Sequence, residues 1–326
     1  MLRSFVTAAA TYVRSHRLGT LALASWFAVW TFLDCYWRFG PYLGSDTRIY
    51  VRAAANFIAG ADPWDAAVGL FHFAGLPPTV QLFTPLTLLP ENVTVAMGLA
   101  ISAAAAIAIV RMLHLPAWWL LFPPLAQGVL VANPHLLLFA LLLTGRPAAE
   151  AFASMLKIYA IVPVIGHFHW RGVTLTLAGL SISFVIAPSL WFGYAGELQA
   201  ISARLTYEAA GGFSAAIEPI LMIPMALLLI ALSLIDRPAA SWLAVPAMWP
   251  SSQFFNSTMA MPMARGWFAA MLAIPSRGVV PVAVALYIVA RIRSARHQAI
   301  EPQFRLPVRR ARRIEVEAAG SPTEAA

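Results

Sequence analysis

A succession of apolar runs with almost no charge inside them limits what this chain can fold into. Residues 18–37, 93–110, 116–131, 173–185 and 220–235 are such runs, with shorter apolar pieces at 79–89, 136–143, 151–165, 239–249, 259–274 and 279–289. Across the chain 60% of residues are hydrophobic and 11% are charged, whereas a soluble domain averages about 25% charged. A chain of 326 residues has no core able to hide that much apolar surface from water, so its solvent is lipid. A spanning helix takes roughly 20 apolar residues. The expected fold is all-α: a polytopic integral membrane protein with about ten transmembrane helices. Pieces of roughly 10 to 14 residues are read as short re-entrant or interfacial helices.

Charge sets the expected orientation. The formal net charge is +8, and the basic residues gather at the ends. Arg3, Arg14 and Arg17 precede the first run; Arg291, Arg293, Arg296, Arg305, Arg309, Arg310, Arg312 and Arg313 follow the last. Basic flanks mark the cytoplasmic side, so both termini are expected in the cytoplasm and the protein in the cell membrane. The first run is too long for a signal-peptide core and is read as a retained span. The expected organisation is a cytoplasmic N-terminus (1–17), one membrane domain (18–292) and a basic cytoplasmic tail (293–326). That tail either touches anionic lipid or serves only as a topology signal. It lacks the interleaved aromatics of a nucleic-acid surface. The single cysteine, Cys35, excludes an internal disulfide and any multi-cysteine metal site.

Two polar stretches, 38–76 and 190–217, interrupt the apolar pattern, and following the crossings puts both on the outer face. The first reads Gly44-Ser45-Asp46-Thr47-Arg48-Ile49-Tyr50 and runs on to Gly60-Ala61-Asp62-Pro63-Trp64; residues 49–59 suit a short interfacial helix. Asp46, beside a span and close to Arg48 and Tyr50, is placed to take a proton from an acceptor hydroxyl as a general base. Asp62 and Asp65 are either further acids of the site or solvated loop residues, and Asp62-Pro63 makes a turn unaided. In the second stretch Arg204 and Glu208 stand at i,i+4 spacing, where a surface ion pair is the default.

Three further groups interrupt apolar runs. Lys157, the sole lysine, lies within 151–165; it either binds a phosphate, reaches an interface, or pairs with Glu150. Asn133-Pro134-His135 breaks a run, and backbone freed there is tolerated only against protein or a polar cavity. It is a polar rim or a plain loop. His167 and His169 have no evident third ligand nearby, so no metal site is expected. Phosphate-binding glycine loops, dinucleotide fingerprints and nucleophile-elbow serines are absent from the sequence, and no cofactor is expected.

The order of these pieces resembles glycosyltransferase family 87. The resemblance is carried by Asp46-x-x-x-Tyr50-x-x-Ala53-Ala54, Gly60-Ala61-Asp62-Pro63-Trp64, Pro77-Pro78 with Pro85 and Leu88-Leu89-Pro90, Ala132-Asn133-Pro134-His135 leading into leucines, Lys157-Ile158-Tyr159, Trp170-Arg171 and Pro188-Ser189-Leu190-Trp191. It covers roughly residues 40–215. The sequence departs from the family pattern at Trp64 for the usual Tyr, at Ala132 for the usual Gly, and in the Pro after Lys157, displaced to Pro163. The resemblance implies a GT-C type membrane enzyme that moves a hexosyl (mannosyl-like) or pentosyl group from a polyprenyl-phosphate sugar to a lipid or glycan acceptor, with inversion. It implies Asp46 as base, with Arg48, Tyr50, Asn133, His135 and Lys157 binding substrate. A transporter or flippase for a lipid-linked saccharide would share the lipid pocket and the lysine without needing the acid, and a non-catalytic relative would keep the fold alone.

Overall fold

The computed structural model describes residues 2–69, 71–207, 213–250 and 252–300. Glu208, and residues 301–326 of the basic tail, lie outside the described residues. The chain is all-α, 79% helical, apart from a two-residue antiparallel pairing of Ala67–Val68 with Phe71–His72. Fourteen α-helices follow one another among the described residues. They are α1 (Leu2–Tyr42), α2 (Ser45–Ile58), α3 (Pro77–Phe83), α4 (Glu91–Met112), α5 (Pro123–Leu130), α6 (His135–Leu143) and α7 (Pro147–Leu156). Then come α8 (Ile161–Gly166), α9 (Trp170–Ile186), α10 (Pro188–Tyr207), α11 (Pro219–Ser233), α12 (Arg237–Met248), α13 (Gly266–Leu272) and α14 (Val279–Ile300).

Among the described residues two segments are long and apolar enough to cross a membrane, Arg17–Tyr36 within α1 and α4. A third counts if α9 and α10, bent by 105° at their junction, are one span. This is fewer than the ten expected from counting apolar runs. The reason is that prolines split those runs, joined by one break without proline, at Lys157 between α7 and α8. Proline opens α3, α5, α7, α11 and α12 at its first or second position, where its missing N–H is not needed. The residue before a proline is pushed out of helical geometry. Ala187, ahead of Pro188, has φ −140° and ψ 69° and forms the bend. Consequently α5, α6, α7 and α8 have 8, 9, 10 and 6 residues. At 1.5 Å per residue, ten residues run about 15 Å, half of a ~30 Å hydrocarbon layer. The apolar piece at 151–165 is thus two helices, and that at 259–274 a 3-10 turn (Phe254–Ala260) followed by α13. Helix α14 continues past residue 292 to Ile300.

Small residues let these short helices approach. A Cβ on Gly172 would come within 2.5 Å of Glu150 Oε2, and one on Gly179 within 2.3 Å of Met155 Sδ, so α9 lies directly on α7. Gly166 of α8 meets Ser241 of α12 in the same way, and Gly98 of α4 meets Thr47 of α2. Close approach through small residues is how helices gain packing energy where burial of apolar surface offers little.

Candidate functional site

Helix α2 is fixed end to end against α5. The first backbone N–H groups of a helix and its last carbonyls lack partners within the helix. Here each end supplies the other: Gly44 N donates to Leu130 O (2.9 Å) and Asp46 N to Val131 O (3.0 Å), and Thr47 Oγ1 donates to Ala132 O (3.0 Å). Gly44 has φ 66°, and a Cβ there would lie 2.5 Å from Val95 Cγ1. Glycine therefore satisfies both the left-handed turn and the close approach of α4. Ala132 also stands in the left-handed region, at φ 53°, so the position where the family pattern has glycine is one whose backbone favours glycine.

That joint brings Asp46 to Asn133. Asn133 Nδ2 donates to Asp46 Oδ2, while Asn133 Oδ1 accepts from His135 N (2.7 Å); the two bonds fix which way the amide points. Asp46 Oδ1 has only a long contact from Ser45 Oγ, 3.4 Å. Burial raises the Asp46 pKa above its usual 3.8, and the Asn133 hydrogen bond, the Lys157 charge and Ser45 oppose the rise. Tyr50, one turn along α2, is buried beside Phe73 and Phe83, and burial raises its pKa as well.

Lys157 reaches the same place by a second helix break. It follows α7 with φ −147° and ψ 119°, and the Leu156 carbonyl freed by the break accepts from the buried Thr79 Oγ1 (2.9 Å). Its Nζ lies 5.8 Å from the Tyr50 ring centre and 5.9 Å from that of Tyr159, within cation–π range. Among the described residues no carboxylate lies within ion-pair distance of it.

Asp46, Tyr50, Asn133, Lys157, Tyr159 and Arg204 together line one cavity of about 460 Å³, walled by Phe71, Phe73, Tyr194 and Trp249. Arg204 stands at its rim, donating to Trp64 O (2.9 Å) and reaching Asp65 Oδ1 at 3.4 Å. It ties α10 to the first polar loop.

Other candidate residues sit elsewhere. Arg48 does not line the cavity; its guanidinium meets Glu91 Oε1 (2.8 Å) and Leu43 O (2.7 Å). His135 is buried behind the wall. Its Nε2 is 2.8 Å from Thr258 Oγ1 and its Nδ1 2.7 Å from the Tyr159 hydroxyl. Thr258 spends its own proton on Phe255 O (2.8 Å), so Nε2 carries the hydrogen and Tyr159 donates to Nδ1. His135 thus orients Tyr159. Asp62 caps the turn at Pro63–Asp65, accepting from Trp64 N (2.9 Å), and does not line the cavity. Lys157 does not pair with Glu150: that carboxylate is held by His169.

Sequence reasoning missed Tyr159 and Asn256 as cavity residues. Asn256 is buried and faces the cavity. It also missed Asp34, a buried carboxylate on α1 that accepts from Gln127 Nε2 (3.1 Å); an acid inside an apolar run was the available signal. Comparison with known protein families, with curated proteins and with solved structures found no match.

Proposed function

We propose that this protein is a membrane glycosyltransferase of the GT-C type. It transfers a hexosyl (mannosyl-like) or pentosyl group from a polyprenyl-phosphate sugar to a lipid or glycan acceptor at the outer face of the cell membrane. One observation carries the reading: a buried acid, Asp46, and the sole lysine, Lys157, face one cavity without closing into an ion pair. Opposite charges left apart in a low-dielectric space are positioned for something that comes between them. The order of sequence motifs, which resembles that of glycosyltransferase family 87, supplies the reaction class.

In this mechanism Asp46 Oδ1 accepts the proton of the acceptor hydroxyl, because Oδ2 is taken by Asn133. The acceptor oxygen attacks the anomeric carbon from the side away from phosphate. The carbon–oxygen bond to phosphate breaks, and polyprenyl phosphate leaves with the electron pair and inverted configuration behind it. Lys157 meets the charge that develops on the leaving phosphate. Tyr159, held by His135, and the aromatic wall orient the sugar.

The test is transfer by the full chain in liposomes from a polyprenyl-phosphate sugar, comparing wild type with Asp46→Asn. Loss of a general base lowers the rate by about 10²–10⁴-fold. In the wild type kcat/KM rises with pH as Asp46 loses its proton, on a limb above pH 3.8, the usual aspartate value; Asp46→Asn lacks that limb. The raised pKa means Asp46 favours the fold below its usual value and costs stability as pH climbs through the folded-state value. Asp46→Asn therefore melts no lower than wild type at neutral pH, which separates lost chemistry from lost structure. Lipid translocation without transfer, unchanged by Asp46→Asn, would identify a flippase and sink the proposal.

A further inference from the structure

A second concavity, about 870 Å³, shares no lining residue with the first and lies between the start of the α1 span, Trp118 and the start of α13. On α1 its wall is mostly one helical face: Gly19, Ala22, Leu23 and Trp26 stand at i, i+3, i+4 and i+7, with Thr20 beside them. Across from them are Arg265, Gly266 and Trp267. The floor is open because two glycines line it: a Cβ on Gly19 or on Gly266 would find no atom within 4 Å. Trp26 is pinned by its Nε1–H to Ala270 O (2.9 Å).

The chemistry of the groove is divided. Three tryptophans give an apolar, amphipathic surface of the kind found at the level of lipid headgroups. Arg265 adds one fixed charge: its Nη1 donates to Ala264 O (2.6 Å) and Met261 O (3.3 Å), which orients the guanidinium and leaves its charge unneutralised. Among the described residues no carboxylate pairs with it. The groove runs from the start of the α1 apolar window toward its middle: Gly19 stands two residues from Arg17, and Trp26 nine residues from it, about 14 Å along the helix. The apolar window of α1 begins at Arg17 and only 11% of it is buried within the protein, against 39% for α4, so this face of α1 meets lipid.

We infer that this groove is a binding site for an anionic phospholipid, its phosphate on Arg265 and an acyl chain against Trp26, Trp118 and Trp267. The inference needs the chain to lie in a bilayer but is independent of the cavity at Asp46 and of its chemistry.

The experiment is lipid retention by the full chain in native mass spectrometry, titrated with phosphatidylglycerol and with phosphatidylcholine of the same acyl chains. One phosphatidylglycerol per chain is expected to be retained, about fivefold more strongly than phosphatidylcholine, the contribution of one interfacial arginine. Arg265→Gln removes that preference and Arg265→Lys keeps most of it. Gly19→Leu fills the open floor and lowers retention of both lipids. Leucine suits a helix better than glycine and its Cβ meets no atom within 4 Å, so folding is expected to be retained and the melting point reports it. Equal retention of the two lipids by wild type, or unchanged retention by Arg265→Gln and Gly19→Leu, overturns the inference. Displacement of phosphatidylglycerol by millimolar inorganic phosphate also overturns it, because the site would then read the anion and not the lipid.

Discussion

The two ends of α7 carry opposite charges in opposite circumstances. At its first turn Glu150 is 2% exposed, with Oε1 held by His169 Nδ1 and α9 packed close at Gly172. Just past its last turn Lys157 is half-buried, flanked by tyrosine rings, and free of any carboxylate within ion-pair distance among the described residues. The same ten-residue helix therefore has a closed end and an open end. A buried charge that has found its partner holds structure together, and its removal is felt as instability. A charge kept from pairing beside a cavity is available to a ligand, and its removal is felt in binding or rate. Position in the apolar run does not separate the two; the partner does.

The largest expected effect breaks the open end. Lys157→Met keeps the length of the side chain and loses the charge. If Lys157 meets the leaving phosphate, transfer falls by about 10²–10³-fold, the usual loss for a single group stabilising developing charge, while the melting point in detergent stays near wild type. The kinetic pattern matters: the loss belongs in kcat as well as kcat/KM, because the phosphate gains charge only as the bond breaks. A fall in melting point with unchanged turnover per folded molecule would assign Lys157 to structure and erase the contrast between the ends.

The closed end gives the reciprocal result. His169→Ala leaves Glu150 buried with neither oxygen partnered, since Oε2 already has no hydrogen bond in the structure. His169 is 41% exposed, so water partly replaces it, and loss of the buried carboxylate's partner costs about 1–3 kcal/mol, a fall of a few degrees in melting point. Turnover per folded molecule is unchanged, because α7 delivers Lys157 through a break whose freed carbonyl is held by Thr79 rather than by this pair. Equal losses of activity in His169→Ala and Lys157→Met would show that the two ends act as one unit.

Much of this was legible in the sequence, and what was not has physical causes. The polar stretch that becomes α2 and the break at Asn133-Pro134-His135 were readable because acid and proline are conspicuous in apolar runs. Arg48 was misplaced although helix periodicity contains the answer. Asp46 and Tyr50 are four apart and share a face, whereas Arg48 lies about 200° around from Asp46 and meets Glu91. The break at Lys157 was not readable, because it has no proline or glycine beside it; it is held by Thr79, 77 residues away in sequence. The number of spans was not readable either, since runs of half the bilayer length do not distinguish a crossing helix from a hairpin of short ones. Trp64 also has a structural part to play: its Nε1–H reaches Gly75 O (3.0 Å) and fixes the cavity wall at residues 71–76.

The smallest expected effect lies at Ala132, in the joint that delivers Asp46 to the open end. An L-residue in the left-handed region costs roughly 1–2 kcal/mol relative to glycine, and Ala132→Gly removes that cost. Against it stand the added freedom of glycine in the unfolded chain, about 0.4–1 kcal/mol, and one lost buried methyl, about 0.8 kcal/mol. The terms nearly cancel, so Ala132→Gly is expected to shift stability by no more than about 1 kcal/mol. Ala132→Val supplies the contrast, because a β-branched side chain at positive φ is a steric outlier and the site is buried. It lowers the melting point by several degrees. It also lowers transfer, since the Ala132 carbonyl that accepts from Thr47 moves with it, and Asp46 moves with Thr47. Ala132→Val with wild-type melting and activity would mean that the joint yields without disturbing Asp46, and that the acid is placed by Asn133 alone.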